Sequence, residues 1–111
     1  MSGVLGSGRV RDLTPEEVAR GLEDGQIVLV DVREPNETAL ERIPGSVLVP
    51  LSSFDIDEIP NPAGRSVVFS CRSGNRSIKA SELAQAAGLP YDAHLAGGLI
   101  AWKAAGFPTE Q

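Results

Sequence analysis

Cys71 is the single cysteine in a chain of 111 residues, and it opens the run Cys71-Arg72-Ser73-Gly74-Asn75-Arg76-Ser77. A thiol becomes a nucleophile when its surroundings favour the thiolate, and nearby arginines do that electrostatically. Gly74 can take φ > 0 and curve the chain sharply, while Ser73, Asn75 and Ser77 are small enough to let backbone amides point inward. Such a loop supplies a nucleophile and an anion cradle together. The alternative is a cysteine that serves as a small buried hydrophobe. A core thiol, however, does not call for flanking arginines, a glycine and small polar residues. One cysteine excludes an internal disulfide, and with His94 as the one histidine a Cys/His metal site is not expected. We expect no cofactor.

Charge points the same way. The chain carries a net −5, yet Ile59 to Ser81 holds Arg65, Arg72, Arg76 and Lys79 and no acid, so that stretch is +4 and the remainder −9. An anion is drawn to one place on an acidic molecule, and nucleic acid is not the expected partner. Lys79 either steers anions or is simply solvated. No apolar stretch approaches a membrane span, and Met1 to Val10 lack the apolar block of a secretory signal. The expectation is a soluble, cytoplasmic protein with no membrane partner.

These residues need a frame to hold them. The length suits one domain, and an apolar fraction of 41% with 23% charged residues is ordinary for a globular chain. Residues 1–9, with three glycines and two serines, read as a flexible lead-in, 10–108 as the domain and 109–111 as a tail. Thr14-Pro15-Glu16-Glu17 is a capping box with proline at the first helical position, starting a helix to about Glu23 with Val18, Ala19 and Leu22 inward. Ile27–Val30, Val47–Val49, Ser66–Ser70 and Ala93–Leu95 are short β-branched or aliphatic runs, as expected for strands covered on both faces. Between them the pattern predicts helices from Pro35 to about Arg42, from Ser77 to Ala87 with Ala80, Leu83, Ala84 and Ala87 inward, and from Leu99 to Ala105. Residues 51–64, with three acids and two prolines, read as a loop with one irregular helical turn around Ser53 to Ile59.

Strands alternating with helices predict an α/β fold, a mostly parallel central sheet of four to five strands with helices on both faces. Ligands of such sheets bind beyond the carboxyl ends of strands, where the third run delivers Cys71. The thiol is thus expected at the sheet's rim, ahead of a helix whose first amides and dipole favour negative charge.

At this point the chain resembles the rhodanese family of sulfurtransferases, in its small single-domain form. The likeness spans about residues 10–108 and rests on Leu29-Val30-Asp31-Val32-Arg33-Glu34, Ile43-Pro44-Gly45-Ser46, Cys71 to Ser77, and Leu95-Ala96-Gly97-Gly98-Leu99-Ile100-Ala101-Trp102. The resemblance implies that Cys71 accepts a sulfane sulfur as a persulfide, held by the backbone amides of Arg72, Ser73, Gly74, Asn75, Arg76 and Ser77. It also implies that Asp31 and Arg33 brace the active loop from the neighbouring strand end. The donor would be thiosulfate or another persulfide, and the acceptor cyanide or an external thiol such as glutathione or a thioredoxin-like protein. The acceptor must be external because the chain offers no resolving cysteine. Many family members carry histidine where this chain has Arg42, a position usually taken as structural.

Two other readings stand beside this one. A phosphatase or arsenate reductase could use the same thiolate cradle, but related cell-cycle phosphatases hold one more residue between cysteine and arginine than the four found here. A regulatory rhodanese-like module would bind a partner protein and make little use of Cys71. Of the remaining residues, Trp102 reads as core packing, Gly97-Gly98 as a tight turn into the last helix, and His94 as a structural or solvent-facing side chain. No general base is required if the loop itself lowers the thiol pKa.

Overall fold

The computed structural model describes residues 9–60 and 63–111; the expected lead-in lies almost wholly outside the described residues. Along the chain come β1 (Arg11–Leu13), α1 (Pro15–Glu23), β2 (Ile27–Asp31), α2 (Pro35–Leu40) and β3 (Val47–Leu48). Single 3-10 turns at Leu51–Ser53 and Ile56–Glu58 follow, then β4 (Ser66–Ser70), α3 (Asn75–Ala86), β5 (Ala93–Leu95) and α4 (Gly98–Ala104). The strands form one sheet in the order β1-β5-β4-β2-β3, every pairing parallel.

Alternation within the strands divides the core. Val28, Val30, Val67 and Phe69 face a layer containing Ala80 and Ala84 of α3. Leu29, Val68 and Leu95 face the opposite layer, with Val18 of α1 and Leu99 and Trp102 of α4. Side chains on successive strand residues point to opposite faces, so a run with no polar residue is what a sheet covered on both faces requires. The α1 capping box forms as expected, the Glu17 amide donating to Thr14 Oγ1 at 3.1 Å and the Thr14 amide to Glu17 Oε1 at 2.9 Å. Val18 is fully buried, with Ala19 and Leu22 packed against the same cluster.

Several boundaries differ from the expectation. Edge strand β1 has no counterpart among the predicted strands: Arg11-Asp12-Leu13 is charged and mostly exposed, and only pairing with β5 makes it a strand. α2 stops at Leu40 and not near Arg42, because Glu41 is extended and Arg42 exchanges backbone hydrogen bonds with Glu110, both at 2.8 Å. β3 ends at Leu48, and two short turns stand where one was expected. α3 starts at Asn75, two residues early, and its buried stripe is Ser77, Ala80, Ser81 and Ala84. Leu83 is 39% exposed, turned about 100° from Ala84 around the helix, and Ala87 is the C-cap. α4 likewise begins one residue early, at Gly98.

Candidate active site

β4 and β2 end side by side, joined by the Val32 amide donating to the Ser70 carbonyl at 2.8 Å. Cys71 follows at once, and the chain turns through Gly74, whose φ of 104° is the left-handed conformation a side chain resists, before α3 begins. Here α3 follows the loop, and the amides of its N-cap, Gly74, and of Ser77 in its first turn are directed at the sulfur. The Gly74 amide lies 3.1 Å from Cys71 Sγ, the Ser77 amide 3.4 Å, and the Ser77 hydroxyl oxygen 3.6 Å.

The thiol is 1% exposed and packs against the core cluster beneath α3, so it lies inside the rim and not open upon it. Burial alone pushes its pKa up, because it penalises the charged form. The Ser77 hydroxyl and the amides of Ser77, Gly74 and Ser73 outweigh that penalty, and the pKa falls below the ordinary thiol value. Inward peptide dipoles around a buried sulfur stabilise a thiolate.

α4 holds the loop from the other side. The Leu99 amide donates to the Cys71 carbonyl at 2.9 Å and the Ile100 amide to the Arg72 carbonyl at 3.1 Å. Such an approach leaves no room for a side chain: a Cβ on Gly98 would fall 2.4 Å from the Cys71 carbonyl oxygen and 2.6 Å from that of Arg72. Gly97-Gly98, expected as a turn, therefore also lets one helix start dock onto the Cys71 loop.

Asp31 and Arg33 are both 4% exposed and form a closed pair, Arg33 Nε lying 3.0 and 3.1 Å and Nη2 2.8 Å from the carboxylate oxygens. Arg33 Nη2 also donates to the Glu41 carbonyl at 2.8 Å, which ties the end of α2 to the end of β2. Arg76 grips α2 as well, with Nη1 2.6 Å and Nη2 2.9 Å from the Glu37 carboxylate. That guanidinium holds the Glu37 carboxyl at about 2. Arg76 was expected to bias the thiol electrostatically; its charge is committed to Glu37, although it stays close enough for Cys71 to act on it. The side chains of Arg72, Ser73, Asn75 and Lys79 are exposed. Arg42 serves the scaffold, its Nη2 donating to the Ser46 carbonyl at 2.8 Å and its guanidinium facing Glu110.

His94, read from the sequence as a structural or solvent-facing side chain, does not face solvent. It is buried, 2.7 Å from the Ser77 hydroxyl through Nδ1 and 2.7 Å from Asp12 Oδ1 through Nε2. No local pattern marks it; the one available sign is that β5 ends at the same sheet edge as β4. Among the described residues no cluster of His, Cys, Asp or Glu could hold a metal. No helix in the described residues is long and apolar enough to cross a membrane.

The model of the rhodanese-like domain matches residues 14–105. A protein of Allochromatium vinosum named sulfurtransferase is 35% identical over 100 residues, covering 89% of this chain and 94% of that one. The thiosulfate:glutathione sulfurtransferase of Saccharomyces cerevisiae is 33% identical over 99 residues, covering 78% and 71%. An uncharacterized protein of Synechocystis is 38% identical over 97 residues, which are 87% of this chain but span only 54% of its relative. Among solved structures, a rhodanese-related protein of Thermoplasma volcanium superposes with a TM-score of 0.74 at 25% identity, covering 90% and 97%.

Proposed function

The chain belongs to the rhodanese-like domain family, and on that footing we propose that it is a sulfurtransferase carrying sulfane sulfur as a persulfide on Cys71. One observation carries the reading: a buried sulfur that receives the Gly74 and Ser77 amides and lies beside the Ser77 hydroxyl. A core cysteine needs none of these, whereas a thiolate and a persulfide anion need all of them.

In the first step the Cys71 thiolate attacks the outer sulfur of thiosulfate or of another persulfide donor. A new S–S bond forms as the donor's own S–S bond breaks, and with thiosulfate the sulfite departs with the bonding electron pair. The amides of Ser73, Gly74 and Ser77 stabilise the charge on the persulfide, the role an oxyanion hole plays in acyl transfer. The donor approaches over the exposed side chains of Arg72, Ser73 and Asn75. In the second step an external thiol attacks the outer sulfur and Cys71 leaves as thiolate; with one cysteine in the chain, no internal thiol can do this. The name of the yeast relative supports glutathione as a thiol of the right class, and a thioredoxin-like protein offers the same chemistry. We place the reaction in the cytoplasm, where thiols are kept reduced.

The test is intact mass after incubation with thiosulfate. A gain of one sulfur atom, reversed by cyanide or glutathione and missing from Cys71→Ser, is the expected result. Turnover of a phosphate monoester without sulfur uptake would replace this reading with a phosphatase. Failure of both reactions would leave the fold as a binding module.

A further inference from the structure

His94 is 2% exposed, yet both of its ring nitrogens are engaged, Nδ1 with Ser77 Oγ and Nε2 with Asp12 Oδ1, each at 2.7 Å. Ser77 Oγ in turn lies 3.6 Å from Cys71 Sγ. Side chains from β1, β5, α3 and the active loop thus form one line, from the sulfur to a carboxylate whose side chain is 73% exposed. The cradle of amides does not require this line.

The hydrogens along it can be counted. A carboxylate only accepts, so Nε2 carries a hydrogen. In the neutral ring Nδ1 then has a lone pair and accepts from the Ser77 hydroxyl, whose oxygen accepts from the thiol. Ser77 has a single hydrogen for three acceptors, namely Nδ1 at 2.7 Å, the Gly74 carbonyl at 3.2 Å and the sulfur at 3.6 Å. When that hydrogen turns to the sulfur, Nδ1 must donate to Oγ, and the ring carries both hydrogens.

We infer that His94 is a positioning residue that takes up the Cys71 proton through Ser77 and holds it while the thiolate reacts. The Sγ–H bond breaks with its electron pair left on sulfur, Oγ receives that proton, and Oγ passes its own to Nδ1. Nothing is gained or lost: thiol and imidazole become thiolate and imidazolium, separated by one hydroxyl and balanced by Asp12. The transfer reverses whenever Cys71 returns to the thiol. The inference rests on Cys71 being the sulfur carrier proposed above, since that reaction forms the thiolate afresh in each cycle.

The surroundings of His94 define its charged partners. β4 sets Phe69 in register with it, β1 supplies Asp12, α3 supplies Ser77, and the loop supplies Cys71 behind that hydroxyl. Arg11, next to Asp12, is turned to Asp92 at 3.1 Å. Asp12 and Cys71 are therefore the groups whose charge His94 shares.

The experiment uses the full chain, in which the sole histidine gives an unambiguous Cε1–H resonance. The pH dependence of that resonance is followed in wild type and Cys71→Ala, and the pH dependence of Cys71 alkylation by iodoacetamide in wild type, His94→Gln and Asp12→Asn. Thiolate and imidazolium stabilise each other, so Cys71→Ala is expected to lower the His94 midpoint, and His94→Gln to raise the alkylation midpoint, by equal amounts of about one pH unit. Asp12→Asn, at an exposed side chain, is expected to raise the alkylation midpoint too, and it decides the matter if His94→Gln fails to fold. A His94 midpoint indifferent to Cys71→Ala, or an alkylation midpoint unmoved in Asp12→Asn, overturns the inference. Sulfur loading of the wild type from thiosulfate is read separately by mass. Coupled midpoints without loading would defeat the proposed function and leave the relay standing, while loading with uncoupled midpoints would do the reverse.

Discussion

The backbone of Gly98 passes so near the Cys71 carbonyl that a Cβ there would lie 2.4 Å from the oxygen, and its φ of +58° is one that side chains resist. The contact is backbone to backbone, so no rotamer change can relieve it. Gly98→Ala should therefore cost about 2–3 kcal/mol in urea unfolding and should also slow Cys71 alkylation, because the loop must move to admit the methyl group. Unchanged stability together with unchanged alkylation would mean that α4 does not hold the loop.

The second expectation concerns pH. Inward amides and the Ser77 hydroxyl lower the Cys71 pKa against the opposing effect of burial. Alkylation should reach half its maximal rate below the unperturbed thiol value of about 8.5. A group whose folded pKa is depressed adds stability as pH rises from the folded to the unfolded value, and loses it as pH falls back through the folded one. The stability of wild type relative to Cys71→Ala should accordingly grow with pH across that window, as measured by urea unfolding at several pH values. A flat difference would contradict the electrostatic account of the cradle.

Glu37 tests the tie between α2 and the start of α3. Its carboxyl is held at about 2 by Arg76, so its contribution is complete above the ordinary carboxylate range and disappears as pH falls toward 2. Both side chains are partly exposed, at 34% and 26%, so solvent screening limits the effect. Glu37→Gln should cost about 1 kcal/mol at neutral pH and little at acid pH, as checked by denaturant unfolding across that range.

Asp31 and Arg33 behave differently because both are buried. Removing one partner leaves an uncompensated charge in the interior. Asp31→Ala should thus destabilise by about 3–5 kcal/mol in urea unfolding. Arg33 would be left holding only the Glu41 carbonyl, so the end of α2 should lose amide protection from hydrogen exchange more than α1 does. Equal protection in both helices would show that the pair stabilises the fold without bracing this edge.

Much of the frame was legible from local pattern. The Thr14-Glu17 box, the aliphatic runs of β2 and β4, and the strand-loop-helix sequence around Cys71 depend on residues a few positions apart, where backbone hydrogen bonding and side-chain periodicity act directly. β1 was not legible, because Arg11-Asp12-Leu13 carries no apolar alternation and becomes a strand only through its pairing with β5. The early start of α3 has a local cause. Gly74 takes the left-handed turn ahead of the helix, which leaves Asn75 and Arg76 free to be helical and turns Ser77 toward the sulfur.

By itself, the sequence determined that one thiol would leave a buried strand into a glycine-bearing loop ahead of a helix, because those requirements are met within the twelve consecutive residues 66–77. The tertiary structure decided which groups meet that thiol. Arg76 is drawn to Glu37, 39 positions away, and His94 reaches Ser77 across 17 positions and Asp12 across 82. Those meetings follow from the order β1-β5-β4-β2-β3, which is set by which apolar faces pack together and not by any short run of residues.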